Sequence, residues 1–184
     1  MNRQPWFERK FSFDFPVDWY ADFVERLRGM PARAEEHVRR VFAAISAGRA
    51  PADSLTRRPS DTGWSIIENV GHLGDLEIVW QRRVDDYLKG LPELTPADLS
   101  NRRTNEANYN ARPIDDVLRE VRAAREAFVS RLESLQPADF ARTALHPRLK
   151  QPMRLVDGVY FSACHDDYHL ARVAELYRCW CEKA

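Results

Sequence analysis

The segment Trp64-Ser65-Ile66-Ile67-Glu68-Asn69-Val70-Gly71-His72-Leu73 reads as the opening of a helix. Ser65 followed three residues later by Glu68 is a capping box, in which each residue satisfies a backbone N–H the helix end would leave bare. Ile66, Val70 and Leu73, then Trp80, Val84 and Tyr87, recur at helical spacing and form an apolar stripe. The spacing predicts one helix from Ser65 to Lys89, with Gly90 as the stop. An amphipathic helix this long must bury its stripe against partners, so the rest of the chain has to supply them.

Three further segments do. Residues 18–47 carry Phe23, Leu27, Ala34, Val38 and Val41 near one face, with Gly29-Met30-Pro31 as an expected kink or restart. Pro113 opens a third helix with Ile114, Val117, Val121, Phe128, Leu132 and Leu135, and Pro137 ends it. A fourth runs over residues 154–182 with Val159, Ser162, His165, His169, Val173, Leu176 and Trp180 at steps of three and four. Strand signals are few. The alternation Phe11-Ser12-Phe13-Asp14-Phe15, closed by Pro16, reads as an extended arm. The prediction is an all-α four-helix bundle over residues 17–184, preceded by an N-terminal arm over residues 1–16. The long connection over residues 91–112 could span the bundle, so the second and third helices need not be antiparallel neighbours.

Composition narrows the function. The 184 residues are 44% hydrophobic and 30% charged, which suits a globular domain. Twenty-eight basic residues balance twenty-eight acidic ones, so the charge excess of a nucleic-acid binder is absent. No apolar run is long enough to span a membrane. Met1 to Trp6 hold no apolar core of a signal peptide, and three cysteines cannot close into a disulfide set. The expectation is a cytoplasmic protein with no membrane or nucleic-acid partner. The aromatics of the arm either pack on their own bundle or cover a second copy in a homodimer.

The chemistry sits where polar residues interrupt apolar faces. His165 and His169, four apart, share one helix face, and His72 flanks the stripe of the second helix. Three imidazoles from two facing helices can hold one divalent cation and leave positions open. The same placement also suits hydrogen-bonded core histidines. The H-E-x-x-H zincin pattern fails because Asp166 follows His165, and no paired Glu-x-x-His of a di-iron bundle is present. His37 lies among charges and reads as a solvated surface residue. His146, before a proline in a loop, reads as structural or as the rim of a pocket. Cys164 adjoins His165 but points elsewhere on a helix.

Trp64-Ser65-x-x-Glu68-x-x-x-His72-Leu73, followed far downstream by His165-x-x-x-His169, resembles the two motifs of the DinB-like superfamily, which includes YfiT-type metal-dependent hydrolases. The resemblance covers the chain from about residue 17 onward. It implies an up-down-down-up four-helix bundle and one divalent metal ion (zinc, nickel or iron) on His72, His165 and His169. It also implies a small-molecule substrate, handled by a hydrolase or by an S-transferase that uses a low-molecular-weight thiol such as bacillithiol or mycothiol. The alternative is a non-catalytic metal- or ligand-binding bundle. Asp75, Glu77 and Asp166 are near enough in sequence to support the ligands from behind. Arg172 stands where relatives often carry glutamine, and reads as an anion contact at the mouth or as a surface salt bridge.

Overall fold

A computed structural model describes residues 3–181, so Glu182, at the end of the expected last helix, lies outside the described residues. The helices are α1 (Tyr20–Arg28), α2 (Met30–Ser46), α3 (Ile66–Asp75), α4 (Glu77–Lys89), α5 (Arg102–Glu106), α6 (Ile114–Glu133) and α7 (Leu155–Cys181). A short antiparallel pair, β1 (Thr143–Leu145) and β2 (Pro152–Arg154), precedes α7. Among the described residues no helix is long and apolar enough to cross a membrane.

Local chemistry accounts for the ends. Ser65 Oγ accepts from the Glu68 N–H at 3.2 Å while Glu68 Oε2 accepts from the Ser65 N–H at 2.9 Å, which is the expected capping box. Gly90 closes α4 with φ 67°, a left-handed conformation that suits glycine. Pro31 restarts the chain as α2, as expected from its fit to a first helical turn. Two differences stand out. The single helix expected from Ser65 to Lys89 is broken at Leu76. The break falls two residues after Gly74, a weak helix former, and Val121 Cγ2 stands 3.0 Å from where a Gly74 Cβ would be. The strand pair lies in a stretch expected to be irregular, because segments of three residues show no alternation long enough to read.

Contacts fix the topology. Arg26 meets Asp167 and Arg40 lies over Tyr177, so the α1–α2 column runs parallel to α7. Asn69 pairs with His169 and Tyr87 with the Arg154 carbonyl, so the α3–α4 column is antiparallel to α7. Gly74 touches Val121 and Arg131 reaches the Gln81 carbonyl, which makes the α3–α4 column parallel to α6. Glu35 pairs with Arg122 and Tyr20 with the Leu132 carbonyl, so α1–α2 and α6 are antiparallel. The order is up-down-down-up.

Two parallel helices in succession force the connection to travel back along the bundle, and it carries α5 on the way. Asn101 and Asn108 turn it with φ of 53° and 50°, a conformation asparagine tolerates better than most residues. The Tyr109 ring lies so close to α3 that a Cβ on Gly71 would sit 2.4 Å from it. Its hydroxyl donates to Asp75 Oδ1 at 3.0 Å and pins the connection there.

The apolar interior has two halves. One joins the arm, α1, α4, the end of α6 and the start of α7; the other joins α2, α3, the start of α6 and the end of α7. Fully buried residues such as Leu27, Ile66 and Leu132 each contribute on the order of 1.5–3 kcal/mol by leaving water. The arm lies on its own bundle: Phe11 packs on Phe161, and Phe15 on Phe23 and Tyr160. Between the two halves lies a layer of buried polar residues, and the candidate site is in it.

Candidate metal centre

α3 brings His72, and one face of the antiparallel α7 brings His165 and His169. Each is at least nine-tenths buried, and one candidate ligand atom from each lies within 4.8 Å of the other two. The ring centroids are 4.5 Å (His165–His169), 4.6 Å (His72–His169) and 5.3 Å (His72–His165) apart.

Neighbours set the tautomers of two rings. Thr104 donates its hydroxyl proton to Asp75 Oδ2 at 2.9 Å, so its oxygen is left to accept from His72 Nδ1, also at 2.9 Å. Asn69 Nδ2 donates to the Ser65 carbonyl at 2.7 Å, which orients the amide. Asn69 Oδ1 then accepts from His169 Nδ1 at 3.0 Å. Both rings therefore carry their proton on Nδ1 and keep the Nε2 lone pair free. His165 Nδ1 is buried and has no hydrogen-bond partner among the described residues. Burial pushes His72 down to about 3 and holds His165 and His169 well below the usual histidine range. All three rings are neutral near pH 7, the state a metal ligand needs. Trp6 stands edge-on to His165 at 5.1 Å, and Trp64 lies 4.6 Å from His72, so aromatic walls flank the cluster.

This donor set fits a divalent cation. Three neutral imidazoles converge, two have oriented supports behind them, and the third has a polar atom that no described residue satisfies. The family model of the DinB superfamily matches residues 20–173. The chain belongs to the DinB superfamily. Among its relatives, the uncharacterized protein YuaE of Bacillus subtilis (strain 168) is 26% identical over 136 residues, 67% of this chain and 83% of that one. A solved structure of YfiT from Bacillus subtilis superposes with a TM-score of 0.74 at 19% identity, covering 94% of this chain and 93% of that one. YfiT is described as "a probable metal-dependent hydrolase with an unusual four-helix bundle topology", and at this identity the likeness shows the fold.

Within this member of the superfamily, the acidic candidates separate. Asp75 reaches His72 through Thr104. Glu77 and Asp166 instead bind Arg125, Glu77 Oε1 at 2.6 Å from Nε and Asp166 Oδ2 at 2.6 Å from Nη1. Asp166 follows His165 by one residue, so the helix turns it toward α6. Asn69, Thr104 and Arg125 were not singled out from sequence as site residues. Arg125 had a signal, since it occupies an apolar-stripe position between Val121 and Phe128. Thr104 had none, because it comes from the connection.

Other expectations also resolve. His37 is half-buried and not fully solvated, with an unpartnered Nδ1 against α7. Arg172 pairs with Glu175 at 3.0 Å, the salt-bridge alternative. Cys164 is buried near Arg26 and away from the histidines. His146 is buried and lines a cavity that also reaches His72 and His165.

Proposed function

We propose that the protein is a divalent-metal-dependent enzyme acting on a small molecule, with His72, His165 and His169 holding one zinc, nickel or iron ion. The observation that carries this reading is the tautomer pattern: two supported rings present free Nε2 atoms beside a third ring whose buried Nδ1 lacks a partner among the described residues. A divalent cation in such a site supplies Lewis acidity, which makes a water or thiol brought to it a stronger acid and stabilises developing negative charge. The chain's own residues then orient the ligands, exclude bulk water and shape the substrate cavity. Asp75, Glu77 and Asp166 each bind groups other than the three imidazoles, Glu77 through Oε1 alone, so none of them is assigned as the base that serves the centre. The nucleophile is therefore external: water in a hydrolase, or a low-molecular-weight thiol in an S-transferase.

The lack of an assigned base favours a second reading, a non-catalytic bundle that stores or senses a metal or ligand. In either case residues 1–16 serve as an arm of the bundle domain over residues 17–184, in a cytoplasmic setting that keeps the cysteines reduced. The arm's packing on its own bundle removes the aromatic argument for a homodimer, and light scattering at micromolar concentration tests the oligomeric state.

Metal analysis of protein purified without an affinity tag tests the centre. One divalent ion per chain is expected. The His165→Ala/His169→Ala double variant should lose it and remain folded, while His37→Ala keeps it. Full occupancy in the double variant rejects the site. Turnover of simple esters, or of a thiol with an electrophile, abolished by chelation and restored by metal, separates the enzyme from the storage bundle.

A further inference from the structure

The arginines of this chain fall into two groups. Arg125, Arg154, Arg131 and Arg26 each reach a carboxylate. Arg83 and Arg148 pair with none among the described residues, although Arg83 is only 7% exposed and Arg148 is partly buried. Arg83 Nε donates to the Thr95 carbonyl at 2.9 Å. Arg148 Nη2 is buried and has no hydrogen-bond partner among the described residues; its guanidinium lies over the Phe7, Phe161 and Trp6 rings at 5.4 to 5.9 Å.

His146 deepens the mismatch. Its Nδ1 faces the N–H groups of Arg148 (3.2 Å) and Leu149 (3.1 Å), while its Nε2 faces Arg83 Nη1 at 3.1 Å. A neutral imidazole has one lone-pair nitrogen, so either tautomer leaves a donor facing a donor. Burial keeps this ring neutral and lowers both guanidinium pKa values, Arg83 to about 10, so the arginines remain charged near pH 7.

All three residues line one cavity of about 190 Å³, and His72 and His165 stand in the same wall. Trp80 and Phe161 supply apolar surface. The one carboxylate in the lining, Asp98, is occupied by Ser100 and the Arg102 N–H. The volume is below the roughly 300–1,000 Å³ of drug-sized ligand pockets, which suits a small molecule. A wall of unmatched donors beside apolar rings calls for an acceptor with negative charge.

We propose that this cavity binds a small organic oxyanion, a carboxylate or phosphate group on an apolar body, with Arg148 holding the charge and Arg83 as a further donor. The inference rests on the reading of the three histidines as a catalytic metal centre, and it names the substrate class of that site. Arg172, on the other side of the cluster and bound to Glu175, takes no part.

Benzoate, phenyl phosphate and the neutral isostere benzamide test it on the full-length chain, metal-free and metal-loaded. Calorimetry and the fluorescence of Trp6 and Trp80 report binding. At least one anion should bind saturably and at least tenfold more tightly than benzamide, and the tighter anion identifies the group. Arg148→Gln should weaken the anion at least tenfold and leave benzamide unchanged. Arg148→Lys should recover part of the loss, and Arg172→Gln should have no effect. Equal binding of benzamide, no saturable binding of either anion, or an indifferent Arg148→Gln overturns the proposal. Metal content of the same samples keeps the two readings apart. Arg148-dependent binding to metal-free protein, with the double histidine variant still fully loaded, rejects the metal site alone. Normal metal loss without anion discrimination rejects the oxyanion site alone.

Discussion

Arg125, Glu77 and Asp166 form one buried polar group of the bundle; His72, His165 and His169 form another, joined to it where Asp166 follows His165 on α7. The two groups stay neutral by opposite proton moves. In the first, one guanidinium faces two carboxylates, and burial, with the charge of Asp166 adding to it, pushes Glu77 up to about 7 against the pull of Arg125. A carboxyl there holds a proton well above its ordinary range. In the second, burial strips the protons from three imidazoles. The first group pairs its charges internally: Arg125 donates to both carboxylates and to the Leu27 carbonyl, and Glu77 Oε2 is left without a partner among the described residues. The second brings one ring nitrogen from each imidazole within 4.8 Å of the other two. Internal charge pairing suits a group that holds helices together, and a convergent set of neutral donors suits the cation proposed above.

The sharpest way to break this comparison is to remove the cation of the first group. Arg125→Met leaves two carboxylates buried without a counter-charge, and the expected loss is about 3–5 kcal/mol of unfolding free energy in urea titration. Replacing all three members, Arg125→Met with Glu77→Leu and Asp166→Leu, should recover most of it, because the desolvation cost disappears with the charges. A loss below about 1 kcal/mol for Arg125→Met would mean that the group does not act as a unit.

For the second group the corresponding perturbation is Thr104→Val, which keeps the shape and removes the oxygen between Asp75 and His72. His72 Nδ1 then has no acceptor, and its ring loses its fixed tautomer and orientation. Metal affinity should fall roughly 10–100-fold, as is usual when the support behind a histidine ligand is lost. Competition with a chelator of known affinity measures it. Unchanged affinity would show that the Asp75–Thr104–His72 chain is structural only.

Local signals carried most of this from the sequence, and long-range pairings carried the rest. The capping box, the Gly90 stop and the stripes of three and four are written within one helix turn of each residue, so they survive reading in one dimension. The i, i+4 pair His165 and His169 is of the same kind. His72 joins them because it flanks the apolar stripe of its own helix, and the family motif around it strengthens the reading. Thr104 reaches His72 only because two parallel helices oblige the connection to run back along α3. His146 and Arg148 reach the cavity through a strand pair too short to show alternation. The choice of Asp75 over Asp166 depends on helix phase in packed partners, which spacing along the chain does not contain.

The smallest expected effect is a pair of slopes with opposite sign, read on metal-free protein between pH 5 and 6. In that window an unfolded histidine, with its ordinary value of 6.5, is mostly protonated, whereas folded His72, pushed down to about 3, is not. The unfolded state binds the extra proton, so stability is full above 6.5 and is lost as pH falls. Glu77 works the other way. Unfolded, at its ordinary 4.5, it is mostly ionised; folded, at about 7, it is protonated, so its share of stability is present at low pH and lost as pH rises through 7. Each group is worth about 1 kcal/mol per pH unit in this window. His72→Gln should therefore flatten the acid loss of stability, and Glu77→Gln should steepen it, by similar amounts. Urea midpoints at pH 5 and pH 6 for the three proteins decide it. Slopes that change in the same direction would show that the two buried groups do not reach neutrality by opposite routes.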